Sequence, residues 1–560
     1  MRSRRNLQIV LAIIFSAAAW GQGGRGRGNQ ASAQPVGNPP QAGAAQPTGQ
    51  PAGQTGGRGG GATSNDFYNY DPNASSVVVI NPPEPVETHQ KITINGDAFA
   101  YTTRAGFLAL RNATSGQSEA HLFFTAYSKD GVSDASTRPI VFFLGGAPGV
   151  SAAWQEFGGL GPKRAKLGGT PEGGWVENPN TILNQADLVF VNPVGTAFSR
   201  PDQPSRGPNF WNTAGDVASL GEFVRDYINR YNRRTSPLFL VGEDFGTGRA
   251  AGLAAYLHEH QIPVQGLALF SMTMSADAAA GDAQYITLLP SLVMSAWYHK
   301  KLAPDLTAMS AEQIAGQARQ FASRQYLHAL YKGDRMTAEE RTKVVADLSR
   351  LTGLSKAFVV NNNFRISLDR FNQELMRDQQ RGMSNSDARV TGFLMALAGG
   401  GRGGGGGGRG GFGGEAQPTI DFNISNLSGE FLSAYETYLH RELTFQQASV
   451  NGNTDAIYYL TSGGVNAFAS TGGDDASLAS AFARNPNLHL FAGINYFDLN
   501  TPFYAAEFTL AHLNVSPEVR AHNITISRYE AGQMTYLDNK ELVRLQRDLA
   551  SFLSGAVSRK

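Results

Sequence analysis

Short apolar runs, separated by polar segments, dominate the hydrophobic pattern of this 560-residue chain. Six runs are nearly continuous, which is typical of strands that are buried on both faces of a sheet. Upstream of them, residues 92–110 alternate between apolar and polar positions around Asn95-Gly96, and this pattern predicts a β-hairpin. The six runs cover residues 140–144, 186–191, 238–241, 264–270, 488–494 and 524–529.

Helical patterns fill most of the region between the fourth and fifth runs. Two further helices are predicted at residues 249–258 and 538–553. Strands that alternate with helices imply a mostly parallel sheet with helices on both faces. The sequence therefore predicts an α/β fold with two core segments, residues 86–285 and 451–560, and a helical cap inserted at residues 286–450. The helices predicted in the cap cover residues 291–302, 310–332, 338–351, 364–381 and 428–442.

Glycine accounts for 65 of the 560 residues, and its excess over ordinary proteins is local. Residues 21–64 contain 14 glycines, and residues 399–414 contain 13. These tracts have too few large apolar side chains to form a core, so they predict a disordered tether at residues 22–85 and a mobile loop within the cap. Arg402 and Arg409 give that loop a weak RGG character.

Charge and cysteine content exclude several classes of function. The chain has 47 basic and 46 acidic residues, so we expect no nucleic-acid partner. The absence of cysteine excludes disulfides, thiolate metal sites and cysteine nucleophiles. We also expect no cofactor and no metal ion, and nothing in the sequence indicates an oligomeric state.

The first residues have the pattern of a secretory signal. Arg2, Arg4 and Arg5 form a basic region, and a largely apolar run of 13 residues follows at positions 7–19. This run is too short for a comfortable membrane span and ends in small residues, which predicts a cleaved signal peptide over residues 1–21. An uncleaved anchor helix is the alternative. We therefore expect an exported protein, periplasmic or extracellular, with no stable membrane span after cleavage.

The third apolar run leads into a tight glycine-flanked turn. Gly242-Glu243-Asp244-Phe245-Gly246 follows the predicted strand and precedes a predicted helix. This is the strand–turn–helix context of the nucleophile elbow, in which two glycines allow the strand and helix to approach closely. A five-residue match is weak alone, so the surrounding motifs decide its meaning.

Several blocks, in order along the chain, resemble the serine carboxypeptidase family in its bacterial branch. The resemblance extends from about residue 92 to the C-terminus and implies an α/β-hydrolase fold with an inserted cap. The blocks are FFLGGAPG at 142–149, GPKR at 161–164, ADLVFVNPVGT at 186–196, GEDFG at 242–246, AWYHKKL at 296–302, DLNTP at 498–502 and AGQM at 531–534.

The resemblance places a serine–aspartate–histidine triad on three positions, two of which are altered. The serine position is Asp244, the aspartate is retained as Asp498, and the histidine position is Gln533. A carboxylate has no hydroxyl with which to attack, and an amide does not titrate near neutral pH. Loss of one triad member costs about 10⁴- to 10⁶-fold in rate, so we expect no useful peptidase activity by the family route.

The resemblance also assigns the oxyanion hole and the substrate-binding residues. The N–H groups of Ala147 and Phe245 would form the hole, and the Asp244 carboxylate would be able to fold back onto them. The family asparagine that holds the substrate's terminal carboxylate is replaced by Gly145, which Gly146 follows. Glu243, before the nucleophile position, is retained, so peptide affinity would depend on it.

Two readings of the triad positions remain open from the sequence. In the first, Gln533 donates hydrogen bonds to Asp498 and Asp244, and the protein is a pseudoenzyme that binds a peptide or small molecule in its cleft. In the second, Asp244 and Asp498 act as acid and base in a residual carboxypeptidase or esterase. Substitution by another histidine is disfavoured, because His522 precedes its strand and His489 opens its strand, so both belong to the opposite sheet edge.

Overall fold

The structure, a computed structural model, describes residues 82–146, 150–168, 174–273, 275–394, 421–445 and 474–558. The predicted signal peptide, most of the predicted tether, Ala147 and the glycine-rich loop at 399–414 lie outside the described residues. No helix within the described ranges is both long and apolar enough to cross a membrane.

The strands of the described residues form one large sheet and two small hairpins. In chain order they are β1 (Val86–Ile94), β2 (Asp97–Arg111), β3 (Ser118–Lys129), β4 (Ile140–Phe143), β5 (Lys163–Ala165), β6 (Trp175–Glu177), β7 (Asp187–Val191), β8 (Arg200–Pro201), β9 (Leu238–Glu243), β10 (Gly266–Phe270), β11 (Arg381–Met383), β12 (Thr391–Phe393), β13 (His489–Asn495) and β14 (Ile524–Tyr529).

The large sheet has ten strands in the order β1-β2-β3-β7-β4-β9-β10-β13-β14, with β8 paired to β3. Strands β1, β2 and β3 are antiparallel, and so is the pairing of β3 with β7. From β7 through β4, β9, β10 and β13 to β14 the pairing is parallel. The carboxyl ends of these six strands therefore meet at one edge, where open α/β sheets bind their ligands.

Alternation of side chains explains why the apolar runs form central strands. Every residue of β4, β7, β9, β10 and β13 is buried. Phe142 and Leu240 belong to the apolar core on one face, and Val141 and Phe239 to the core on the other. Both faces are covered, so both sets of alternating positions are apolar. The six predicted strands and the mostly parallel sheet are confirmed.

Helices lie on both faces of this sheet. The helix Thr213–Arg230 and the elbow helix, Phe245–Glu259, contribute to one core, and the C-terminal helix, Asn539–Ser558, contributes to the other. The described helices of six residues or more are Thr213–Arg230, Phe245–Glu259, Ala283–Tyr298, Ala311–Phe321, Leu327–Lys332, Ala338–Thr352, Lys356–Asn361, Leu368–Glu374, Phe422–Arg441, Asp474–Arg484, Phe503–His512, Pro517–Asn523 and Asn539–Ser558.

One predicted helix of the cap is much shorter than its pattern suggested. The sequence predicts a helix over residues 364–381, and the structure has one only at Leu368–Glu374. Phe364 has a positive φ of 64°, and the Ser367 side chain accepts a hydrogen bond from the Arg370 N–H as a helix cap. Arg381 already belongs to β11. Local capping thus overrides the apolar periodicity.

The antiparallel part of the sheet was only partly predicted. β1 and β2 form the expected hairpin, with Asn95 and Gly96 at positive φ values of 53° and 89°, as a tight two-residue turn requires. β3 was not predicted, although it is 12 residues long and pairs with β2, β7 and β8.

Candidate active site

The turn after β9 has the geometry of a nucleophile elbow. β9 ends at Glu243 and the elbow helix begins at Phe245, so Asp244 alone forms the corner. Its backbone has φ 52° and ψ −126°, a conformation that non-glycine residues rarely adopt and that marks strained functional sites. The Asp244 N–H donates to the carbonyl oxygen of Phe270 at 3.0 Å. The elbow is thus preserved with a carboxylate at its tip.

Both elbow glycines are needed for close backbone approach. A Cβ atom on Gly242 would lie 2.1 Å from the carbonyl oxygen of Gly246. A Cβ atom on Gly246 would lie 2.2 Å from the carbonyl oxygen of Gly145, on the neighbouring loop after β4. The same two glycines therefore close the elbow and bring it against that loop.

The three triad positions all follow carboxyl ends of parallel strands. Asp244 follows β9, Asp498 follows β13, and Gln533 follows β14. Asp244 and Gln533 line one cavity. Burial raises the pKa of Asp244 to about 6, and hydrogen bonding from the Phe245 N–H and the Gln533 side chain opposes that rise. The carboxylate is therefore held beside the Phe245 N–H, the donor that the resemblance assigns to the oxyanion hole.

Asp498 is fully buried, and its carboxylate accepts hydrogen bonds from the residues of the turn that follows it. Its Oδ1 accepts from the N–H groups of Asn500 at 2.9 Å and Thr501 at 3.1 Å, and its Oδ2 accepts from the Thr501 hydroxyl. Burial raises the pKa of Asp498 to about 7 despite these bonds, and the charge of Asp244 adds to the rise. Asp498 does not line the cavity.

The Gln533 side chain hydrogen-bonds to the carboxylate of Asp244 but to Asp498 only through Asn500. Its side-chain Oε1 accepts from Asn500 Nδ2 at 3.0 Å. Among the described residues no hydrogen bond joins Gln533 to Asp498, so the prediction that the amide holds both carboxylates is wrong in that part. Asn500 bridges the two residues instead, because its N–H donates to Asp498 Oδ1 and its Nδ2 donates to Gln533 Oε1.

Glu243 is a buried carboxyl group that lines the cavity. Its Oε2 accepts from the Tyr536 hydroxyl at 2.8 Å and from Gln155 Nε2 at 3.4 Å. Its Oε1 has no hydrogen-bond partner. Burial raises the pKa of Glu243 to about 8, and the charges of Asp244 and Asp498 add to the rise, while the Tyr536 hydrogen bond lowers it.

The loop after β4 is fixed from behind by a buried ion pair. Arg249 Nε lies 2.6 Å from Asp216 Oδ2, and Arg249 Nη1 donates to the carbonyl oxygens of Leu144 and Gly146 at 2.9 and 3.0 Å. Gly145 has a positive φ of 71°, and a Cβ atom there would lie 2.9 Å from the Val150 carbonyl oxygen. The loop thus has a conformation that favours glycine at position 145, which the resemblance aligns with an asparagine.

The cavity at this edge has a volume of about 160 Å³. None of its described lining residues is a histidine, and His489 and His522 lie at or before the amino ends of β13 and β14, as predicted. In the described part of the chain, no three acidic or histidine side chains are grouped so as to hold a metal ion. The lining residues are Gly146, Val150, Ser151, Trp154, Gln155, Glu243, Asp244, Ile424, Asn500, Gln533, Met534 and Tyr536.

Residues 384–388, between β11 and β12, position two of the triad loops. The Gln533 N–H donates to the Ser386 carbonyl oxygen at 2.6 Å. The Leu499 N–H donates to Asn385, and the Ala388 N–H donates to Phe497, both at 2.9 Å. Sequence reasoning missed this segment, because its contacts are with residues more than 100 positions away.

The helix Phe422–Arg441 covers one side of the cavity. Ile424 lines the cavity, and Phe431 stacks on Trp154 with ring centroids 4.2 Å apart. Further along, the Tyr435 hydroxyl donates to the buried carboxyl of Glu156 at 2.7 Å. Gln155 and Tyr536 were also missed, and Asn500 was named only as part of the DLNTP block.

Comparison with known proteins agrees with this geometry. A family model described as serine carboxypeptidase matches residues 95–388, more than half of the chain. The fold is similar to that of Kex1Δp, a prohormone-processing carboxypeptidase from Saccharomyces cerevisiae, with 14% identity, 81% of this chain and 91% of that chain covered, and a TM-score of 0.51. No curated protein matches the chain by sequence.

Two further solved structures have lower scores. A thermostable carboxyl esterase from Bacillus coagulans has 11% identity, with 80% of this chain and 98% of that chain covered and a TM-score of 0.33. Juvenile hormone epoxide hydrolase from the silkworm Bombyx mori has 10% identity, with 82% of this chain and 79% of that chain covered and a TM-score of 0.32.

The parallel sheet, the elbow and the loops at its carboxyl edge define the protein as an α/β-hydrolase in fold. More narrowly, the chain belongs to the serine carboxypeptidase family.

Proposed function

We propose that this protein is an exported member of the serine carboxypeptidase family that binds a ligand in its cleft without hydrolysing it. One observation supports the proposal most directly. The elbow and the turn after β14 line one cavity, and they present Asp244 and Gln533 there in place of the family's serine and histidine. The family mechanism needs a hydroxyl nucleophile and a titratable base at these two positions. The remaining machinery is therefore a binding site.

The position of Asp244 adds an electrostatic obstacle to acyl transfer. Its carboxylate receives hydrogen bonding from the Phe245 N–H, which is one of the two donors expected to stabilise an oxyanion. A second negative charge that develops at this place would be repelled rather than stabilised.

A residual hydrolase is the second candidate, and the raised pKa values favour it. Burial holds the pKa of Asp244 at about 6 and that of Asp498 at about 7, which suits acid–base chemistry near neutral pH. Asp498 is nevertheless 0% exposed, and its oxygens are bonded to the Asn500–Thr501 turn. A carboxylate that cannot reach the cavity is poorly placed to act on a ligand, so we favour binding.

The ligand and the compartment are part of the same proposal. The retained Glu243 supports peptide C-termini as ligands, as the sequence predicts, whereas Gly145 lacks the family's asparagine side chain. The basic and apolar pattern of the first 19 residues supports export to the periplasm or outside. The helix Phe422–Arg441, which borders the cavity, supports an inserted cap that shapes the binding site.

The test compares the full chain with the double variant Asp244→Ser, Gln533→His on blocked dipeptides and simple esters. Substrate consumption is followed by chromatography, and binding by the shift in thermal unfolding with ligand concentration. We expect the wild type to leave every substrate intact. Catalytic turnover by the wild type would contradict the proposal, whatever the double variant does.

A further inference from the structure

Two residues that line the cavity come from distant parts of the chain. Ile424 lies in the first turn of the helix Phe422–Arg441, and Gln533 lies in the turn after β14. Among the described residues no hydrogen bond joins Ile424 to Gln533 directly. The shape of the cavity therefore depends on whatever fixes this helix and this turn relative to each other.

Asp421 caps the helix and at the same time binds the segment 384–388. Its Oδ1 accepts from the N–H groups of Asn423 and Ile424 at 3.1 and 3.2 Å, which is the arrangement of a helix N-cap. The same oxygen accepts from the Ser386 hydroxyl at 2.8 Å, and Oδ2 accepts from the Ser386 N–H at 2.9 Å. One carboxylate thus holds both the start of the helix and Ser386.

Ser386 continues this connection to the turn after β14. Its carbonyl oxygen accepts from the Gln533 N–H at 2.6 Å. A Cβ atom on Gly532 would lie 2.5 Å from that carbonyl oxygen and 2.4 Å from the Asp387 Cβ, so the turn lies directly on the segment 384–388. Packing this close leaves no space for the segment to move without the turn.

Arg389 attaches the segment to the same turn a second time. Its Nε and Nη2 donate to the two carboxylate oxygens of Asp387 at 2.9 and 2.7 Å, which is a forked ion pair. Its Nη1 donates to the Glu530 carbonyl oxygen at 2.8 Å and to Asp538 Oδ2 at 2.9 Å. The segment is therefore fixed to residues on both sides of Gln533.

We propose that Asp421 is a positioning residue of the binding site, which sets the places of Ile424 and Gln533 at the cavity by holding Ser386. Asp421 is not a lining residue, so it acts through these partners rather than on a ligand. The inference rests on the proposed binding function and adds to it the group that keeps the helix Phe422–Arg441 and the turn after β14 at a fixed spacing.

Asp421→Asn separates the two tasks of this side chain. Asparagine caps helices as well as aspartate does, so the bonds from the Asn423 and Ile424 N–H groups are kept. Its Nδ2 takes the place of Oδ2 and is a donor, as is the Ser386 N–H that it then faces. Ser386 is expected to move away, and Gln533 to move with it. Asp421→Ala removes both the cap and the bond to Ser386.

The experiment follows the methyl group of Met534, which is next to Gln533 and lines the cavity. The full chain is prepared with isotope-labelled methionine methyl groups for NMR, and Met534→Leu assigns the signal. We expect the Met534 signal to move by more than its linewidth in both Asp421→Ala and Asp421→Asn. The matched control is Thr337→Ala, which removes the cap of the helix Ala338–Thr352 and should leave the signal in place.

Thermal unfolding distinguishes positioning from the loss of a cap. Asp421→Ala and Thr337→Ala each lose a cap and should unfold at a lower temperature than the wild type, whereas Asp421→Asn should stay closer to the wild type. A Met534 signal that stays in place in a folded Asp421 variant would overturn the inference.

If neither Asp421 variant folds, hydrogen exchange of the wild type decides. The N–H groups of Ser386, Ile424 and Gln533 are then expected to have protection factors within about 10-fold of one another, because they open as one unit. A larger spread would overturn the inference.

Binding of the blocked dipeptides separates this inference from the proposed function. Asp421→Asn is expected to weaken their binding about 10-fold, and Thr337→Ala less than about 2-fold. Unchanged affinity in a variant whose Met534 signal has moved would overturn the inference. If the wild type hydrolyses the dipeptides or binds none of them, the proposed function fails, while a moved Met534 signal still supports the positioning role of Asp421.

Discussion

A Cβ atom on Gly242 would lie 2.1 Å from the carbonyl oxygen of Gly246, so the elbow closes only because residue 242 has no side chain. The added Cβ would meet a backbone oxygen, which cannot rotate away as the end of a flexible side chain can. The elbow has therefore kept its steric requirement although the residue at its tip is an aspartate. This requirement concerns the fold and is independent of catalysis.

Gly242→Ala is expected to destabilise the protein by about 3 kcal/mol or more, because either β9 or the elbow helix must move. Urea unfolding followed by circular dichroism measures the change. The matched control is Gly316→Ala in the helix Ala311–Phe321, where a Cβ atom meets nothing within 4 Å. That variant should be stabilised by about 0.5–1 kcal/mol. Equal stability of the two variants would contradict the close-packed elbow.

The buried Arg249–Asp216 ion pair should contribute far more to the free energy of unfolding than an ordinary surface ion pair does. Arg249→Met leaves a buried carboxylate unpaired and two carbonyl oxygens without their donor, so we expect a loss of about 3–5 kcal/mol. Arg225→Met, which breaks exposed pairs with Glu222 and Asp226, should cost about 0–1 kcal/mol. The double variant Asp216→Leu, Arg249→Met should recover part of the loss. Urea denaturation of all four proteins tests this, and an Arg249→Met loss no larger than the control's would refute it.

Glu156 should make stability depend on pH. Its carboxyl accepts from the hydroxyls of Tyr127 and Tyr435, at 2.5 and 2.7 Å, yet burial raises its pKa from 4.5 to about 7. The folded state then binds the proton more tightly than the unfolded state, so its stabilising contribution is complete below pH 4.5 and is lost as the pH rises through about 7.

Glu156→Gln, a neutral side chain of the same shape, removes this dependence. The free-energy difference between wild type and variant should favour the wild type at pH 5 and shrink or reverse by pH 8. Denaturant unfolding at pH 5, 6, 7 and 8 measures it. A Glu156→Gln difference that does not change with pH would contradict a raised pKa at this site.

The sequence was informative where structure depends on local pattern. Continuous apolar runs predicted β4, β7, β9, β10 and β13, because strands covered on both faces need apolar residues at every position. β14 was predicted as well, although most of its residues are only partly buried. The Asn95-Gly96 turn and the elbow were predicted because each needs particular residues at fixed spacing.

Features that depend on distant partners could not be predicted in the same way. β3 alternates little and is recognised only by its pairing with β2 and β7. The Glu243–Tyr536 hydrogen bond joins residues 293 positions apart, and the hydrogen bond of Gln533 with Ser386 joins the turn after β14 to the β11–β12 loop. The periodicity at residues 364–381 was misleading, because Ser367 caps a shorter helix.

The most direct test of the central claim is the difference in kcat/KM between the wild type and Asp244→Ala on simple esters and blocked dipeptides. The aspartate side chain is the only group at the elbow tip, so any elbow-based hydrolysis must depend on it. We expect both proteins to give the uncatalysed background rate. Turnover by the wild type that Asp244→Ala abolishes would contradict the account.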